Sequence, residues 1–250
     1  MPKLSIVCTY YQRQVQLNKT LESFKQYNPD DFNVIIVDDN SPDDIQLPEL
    51  SFEVTIIKIR EKNWINPCVA FNTGFVEALK SNPDIIIIQN AECYHVGDVI
   101  EYVLKNVTET NYITFAAYSL SKEQDVNLKN LSNRLAGFNG DSAWYNHSIY
   151  RPEYLHFCSA ITAGNLRKLN GFDERFAMGL GFEDNYLVHQ VNMLGLEKLI
   201  IDDPFVFHQY HYDVPAFNFD DLLYGKTSTL CNYLKAEKTY RAVHLLTPDL

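Results

Sequence analysis

Apolar residues fall in short runs separated by stretches of helical period. Leu4–Cys8 is a continuous apolar-rich run and predicts a strand. Leu17, Leu21 and Phe24 then recur at i, i+4 and i+7, which predicts a helix over Gln14–Tyr27. Asn33–Val37 predicts a second strand, ending in the turn-forming Asp38-Asp39-Asn40-Ser41-Pro42. Val54–Ile59 predicts a third strand, Val69–Lys80 a helix and Ile85–Ile88 a buried strand. Val96–Lys105 fits a helix and Tyr112–Ala117 another strand. This βαββαβαβ order predicts an α/β fold, a mostly parallel central sheet with helices on both faces.

The second half is less regular. Residues 121–158 are polar and aromatic without a period, and a stretch of that length usually carries function or small irregular elements. A helix is expected near Asn165–Leu169, followed by a turn at Asn170-Gly171. Asp184–Leu194 reads as a helix stopped by Gly195. Leu199–Ile201 and Phe205–Phe207 read as short strands, and Phe219–Ala236 as a final helix. No shift of composition marks a linker, so the 250 residues are expected to form one domain: a ligand-holding half over 1–118, a closing half over 119–210 and an extension over 211–250.

The net charge of −11 and the absence of a basic run disfavour nucleic acid as a partner. An anionic small ligand remains compatible if a cation neutralises it. Five scattered cysteines without a CxxC pattern fit reduced thiols in a cytoplasmic protein. The sequons at Asn18, Asn106 and Asn146 then read as chance matches. The amino-terminal residues carry no cleavage-like site, and no run reaches the ~20 apolar residues of a membrane span, so a soluble protein is expected.

Ligands of open α/β sheets bind beyond the carboxyl ends of the strands. That rule selects Thr9-Tyr10-Tyr11, Asp38-Asp39, Arg60-Glu61-Lys62-Asn63 and Gln89-Asn90-Ala91-Glu92. No GxGxxG follows the first strand and no GxxxxGK[ST] occurs, which argues against dinucleotide and phosphate-loop folds.

Four segments within roughly residues 3–210, LSIVCTYYQR, VIIVDDNSPDD, CVAFNTGF and LNGFDERFAMGLGFEDNYLVHQV, occur in an order that resembles the family 2 glycosyltransferases. The resemblance implies a GT-A nucleotide-sugar fold and an inverting, metal-assisted transfer from a nucleotide diphosphate sugar. A UDP-linked donor, a saccharide or a protein- or lipid-linked glycan as acceptor, and Mn²⁺ or Mg²⁺ as cofactor are expected. By the same resemblance Asn90-Ala91-Glu92 occupies the DxD position, its first acid replaced by an amide. Glu92 would hold the cation, with Asn90 on ribose or on a metal-bound water. His208 and His211, in PFVFHQYHYD, are candidates to complete the metal site. Asp39 would sit beside the base; Asp38 is a nucleotide contact or simply a turn former. Thr9 offers a hydroxyl, Tyr11 a ring for stacking and Arg13 a donor contact, whereas Tyr10 is expected in the core. Phe71 stands where relatives carry arginine, and Arg60 or Lys62 would compensate. Asn72 has a structural or donor-side role, and Trp64 reads as core or lid.

A general base must face the acceptor hydroxyl in a single in-line displacement. The resemblance places it at Asp184, with Glu183 on acceptor hydroxyls or in a supporting hydrogen bond. As a bare pattern, Asp184 also fits an N-cap. The small residues 159–164 fit either a donor-sugar strand or a tight core crossing. A non-catalytic nucleotide-sugar or glycan binder is the first rival, motivated by Asn90. A nucleotidyltransferase ranks lower, because the loop after the first strand has no glycine.

Overall fold

The computed structural model describes residues 3–125, 143–211 and 220–250. Part of the irregular 121–158 stretch and the first residue of the expected last helix, Phe219, lie outside the described residues. The strands are β1 (Leu4–Tyr10), β2 (Phe32–Asp38), β3 (Glu53–Lys58), β4 (Ile85–Asn90), β5 (Cys93–Val96), β6 (Asn111–Ser119), β7 (Trp144–Asn146), β8 (Cys158–Thr162) and β9 (Glu197–His208). The helices are α1 (Gln14–Phe24), α2 (Cys68–Ala78), α3 (Val99–Asn106), α4 (Lys122–Asp125), α5 (Ala163–Leu169), α6 (Glu183–Met193) and α7 (Asp221–Ala236).

All nine strands join one sheet in the order β3-β2-β1-β4-β8-β6-β9-β5, with β7 on β6. The first four are parallel, as is β6 with β9, while β8 runs antiparallel between β4 and β6. Strands buried on both faces read as unbroken apolar runs, and their side chains alternate between two cores. Leu4, Ile6, Cys8, Val34, Ile36, Ile85 and Ile87 pack under α1 and α3; Val7, Ile35, Val37, Ile86 and Ile88 pack under α2, α5, α6 and α7. Gly74 is required where α2 meets the sheet, since a Cβ there would lie 2.4 Å from Val7 Cγ1.

Two expectations change and one alternative is decided. The helix expected from Val96 begins at Val99, capped by Asp98 accepting from Glu101 N at 2.8 Å, and Cys93–Val96 is a strand antiparallel to β9. Residues 199–201 and 205–207 belong to one strand, β9, which continues through Pro204 because its ladder with β6 shifts register between Phe115 and Ala117. The small residues of β8 are fully buried between β4 and β6, so this stretch is a core crossing rather than a sugar-lining strand.

Candidate active site

The β1 register sets Thr9 beside Val37 of β2 and Asn90 of β4, so three strand ends open on one rim. A cleft of about 530 Å³ lies over this rim. Thr9, Tyr11, Arg13, Asp39, Lys62, Trp64, Asn90 and Glu92 line it on the sheet side; Glu183 and Asp184 of α6 and the preceding Gly179–Gly181 loop line it from the other. The acid expected at the cation and the acid expected as base therefore share one cavity.

Asp39 is held from both sides. Lys62 Nζ lies 2.8 Å from one carboxylate oxygen, and Trp64 Nε1 donates to the other at 3.0 Å. Lys62 also sits 5.3 Å from the centre of the Tyr11 ring. Trp64 thus orients an acid at the cleft wall. Of Lys62 and Arg60, only Lys62 lines the cleft; Arg60 lines a separate shallow depression beside Pro42 and Asp43. Tyr10 packs into the core as expected, with its edge reaching the cleft.

Two residues expected at the ligand serve the scaffold instead. Asp38 is buried and accepts from Ser41 N at 2.8 Å, with Lys58 Nζ at 3.6 Å, so it shapes the turn and does not line the cleft. Asn72 is fully buried. Its Nδ2 donates to Phe172 O and Glu174 Oε1, and its Oδ1 accepts from Phe172 N at 2.9 Å. The amide clamps the 171–174 turn against α2; both its N–H groups are engaged, and it is fully buried away from the cleft. Gly171 permits this closeness: its φ is +68° and a Cβ would lie 2.5 Å from Asn72 Oδ1.

Glu92 sits in the turn between β4 and β5. Its Oε1 lies 2.5 Å from Arg13 Nη1, 3.3 Å from His208 Nε2 and 3.9 Å from His211 Nε2. The ligand atoms of Glu92, His208 and His211 lie within 4.8 Å of one another. Burial resists charging Glu92, but the Arg13 guanidinium and the His208 hydrogen bond outweigh it and hold the carboxyl below the usual carboxylate range. Burial also pushes His211 down to about 4, assisted by the Arg13 charge, so its imidazole is neutral, the ligating form. Gln16 Nε2 donates to Tyr210 O and Gln209 Nε2 to Thr20 Oγ1, fastening the histidine segment to α1. One carboxylate oxygen and two imidazole nitrogens suit a transition-metal ion better than Mg²⁺, which favours oxygen ligands.

Across the cleft, Thr227 of α7 accepts from Leu180 N at 2.9 Å, and a Cβ on Gly179 would lie 2.5 Å from its Oγ1. Ile65 N and Asn66 N donate to Ala177 O. Asn66 Nδ2 donates to Glu183 Oε2 at 2.6 Å. Phe182 turns the chain into α6 with φ 68°, a conformation that costs a bulky residue on the order of 1–3 kcal/mol. Burial, with the neighbouring Asp184 charge, pushes Glu183 up to about 7. Asp184 accepts only from its neighbour Asn185 N among the described residues.

His156 also lines the cleft, and no pattern in the sequence marks it. Its ring meets Phe71 and Phe172 edge-on at 5.1 and 5.0 Å, and its buried Nδ1 has no partner among the described residues. Phe71 therefore supports a histidine where relatives were expected to place an arginine.

The sequence model described as "Glycosyl transferase family 2" matches residues 5–171. The chain belongs to this family. No curated protein matches it significantly. Among solved structures, S. aureus TarS 1–349 in complex with UDP-GlcNAc is 12% identical with a TM-score of 0.68, over 94% of this chain and 66% of that one. TarS 1–349 in complex with UDP gives 0.58 at 12% identity, over 83% of this chain and 60% of that one. Longer TarS gives 0.55 over 83% of this chain and 37% of that one. The chain thus spans about 60% of the TarS 1–349 chain it matches in its UDP complex, and at such identity the likeness establishes the fold. Among the described residues no helix is long and apolar enough to cross a membrane.

Proposed function

We propose that this family 2 member transfers a sugar from a nucleoside diphosphate donor, UDP-linked, to an acceptor hydroxyl with inversion and with help from a divalent cation. One observation carries the reading: Glu92 and the Glu183-Asp184 pair face each other across a single cleft whose sheet-side wall presents Asp39. The fold shared with TarS, which has been seen with UDP and with UDP-GlcNAc, supports the choice of donor.

Asp39, fixed by Trp64 and Lys62, accepts from the base or ribose, and Tyr11 offers its ring to the base. Asn90, at the end of β4, faces the ribose side. Glu92 with His208 and His211 would hold the cation, which when bound neutralises charge developing on the leaving diphosphate. Asp184 takes the proton from the acceptor hydroxyl as that oxygen attacks the anomeric carbon. Glu183, which retains its proton to about pH 7, donates a hydrogen bond beside it and leaves Asp184 as the base.

A non-catalytic donor binder is the second reading, favoured by the neutral Asn90 in the expected metal motif. Transfer or slow hydrolysis of a nucleotide-sugar panel, read as released nucleoside diphosphate with Mn²⁺ or with EDTA, separates the two. Asp184→Asn is expected to lower turnover by about 10²–10⁴-fold while donor affinity by calorimetry changes by less than about twofold. Turnover retained in Asp184→Asn would remove the base assignment. Silence of the wild-type chain on every donor, despite tight binding, would favour the binder.

A further inference from the structure

We infer that Arg13 occupies the cation's place on Glu92 while the donor is absent, so that the site accepts a divalent ion only together with a diphosphate. The inference rests on the metal-assisted reading above and concerns what form of ligand the site admits.

The same oxygen is claimed twice. Glu92 Oε1 lies 3.3 Å from His208 Nε2 and 3.9 Å from His211 Nε2, and it is also the atom 2.5 Å from Arg13 Nη1. A transition-metal ion bound to that oxygen would lie roughly 2.1 Å from it, hence no farther than roughly 4.6 Å from the guanidinium nitrogen. A guanidinium charge held that close to a dication, in a largely buried site, opposes entry of the bare ion.

Charge counting points the same way. Glu92 is the one carboxylate at this turn, because Asn90 is neutral. Arg13 alone balances it. Adding a dication leaves Glu92, Arg13 and the ion with a net positive charge of two, which imidazoles, carrying no negative charge, cannot offset. A diphosphate can. Its oxygens would complete the ion's shell and also give the displaced guanidinium a partner of matching fork geometry.

Arg13 is also placed to move. It precedes α1, its side chain is about one-quarter exposed and lines the cleft, and Glu92 is its one ion-pair partner among the described residues. Swinging toward the cleft breaks one contact, not a network. Glu92, by contrast, is anchored: its backbone carbonyl accepts from Gln209 N at 3.1 Å, next to His208.

The test uses MnCl₂ alone, then MnCl₂ with UDP, on the full chain, with free Mn²⁺ read by electron paramagnetic resonance. Arg13→Met is expected to bind Mn²⁺ alone at least about tenfold more tightly than wild type, and Arg13→Met/Glu92→Gln to lose that gain. UDP is expected to tighten Mn²⁺ binding more in wild type than in Arg13→Met. Arg13→Lys keeps the charge without the fork and should fall between; it also serves should the methionine variant fold poorly. Equal Mn²⁺ affinity in wild type and in the Arg13 variants would overturn the inference, as would no binding by any of them with or without UDP. Equal affinities with intact sugar transfer defeat this inference alone. The expected affinity pattern without turnover on any donor defeats only the proposed activity.

Discussion

Glu183 and Asp184 are neighbours in sequence but not in environment. Glu183 is buried against Asn66, and its pKa is raised from 4.5 to about 7. The sign follows from linkage. Below about pH 4.5 the carboxyl is protonated in folded and unfolded chains alike, and its burial costs nothing extra. As pH rises toward 7 the unfolded chain releases the proton first, so stability falls across that window. Urea denaturation at pH 5 and pH 8 should show wild type losing on the order of 1–3 kcal/mol relative to Glu183→Gln. Identical pH slopes in the two proteins would show that Glu183 is not held protonated. Adjacent aspartates show the limit of reading residues from sequence. The motif marked both Asp38 and Asp39, but only their neighbours separate them: Ser41 and Lys58 engage the first, while Lys62 and Trp64 turn the second toward the cleft. His156 had no signal at all, because its place depends on Phe71 and Phe172 meeting from distant segments.

At the scale of elements, the strands and helices of the first half were legible because strands buried on both faces must be apolar throughout. The run Ile85–Ile88 is such a strand, paired with β1 and β8. The misplacements have local causes. Cys93–Val96 is only four residues long and follows a polar turn, so the helical period beyond it extended the expected helix backward. Residues 199–201 and 205–207 read as two short strands, yet the register shift between Phe115 and Ala117 opposite the gap lets β9 continue through Pro204. Contact between elements carries its own prediction. Gly74→Ala places a methyl 2.4 Å from Val7 Cγ1 and 3.0 Å from Val37 Cγ2, on the strands that end at Tyr10 and Asp38. The variant should lose about 1–3 kcal/mol in chemical denaturation. A loss below about 0.5 kcal/mol would mean that α2 can lift from the sheet at little cost.

The whole molecule is tied together from its far end. Glu174 of the GFDE segment accepts from Leu245 N at 2.7 Å, Leu246 N at 2.6 Å and Thr247 N at 3.2 Å, and from the Thr247 hydroxyl, while Asn72 holds its other side. The last helix adds Thr227 beneath the Gly179–Gly181 loop. The carboxy-terminal residues therefore brace the loop that delivers Glu183 and Asp184. Glu174→Ala removes the acceptor from the buried Asn72 amide and from the part-buried donors of residues 245–247 and should cost about 1–3 kcal/mol of stability. Limited proteolysis should then cut within residues 240–250 before the core opens. Uniform resistance of the tail in that variant would show that Arg241, Asn170 and the apolar contacts hold it without Glu174.

The sequence alone determined most strands and helices of the first half and the rim on which Thr9, Asp39, Asn90 and Glu92 fall, because apolar period and turn chemistry are local properties. The tertiary structure decided what each polar group does there. It gave Asn72 to the scaffold, brought His208 and His211 to Glu92 across more than a hundred residues, and set Arg13 on the same carboxylate. Partnership in a low-dielectric interior depends on which distant charge or hydrogen-bonding group arrives beside a residue, and spacing along the chain does not encode that.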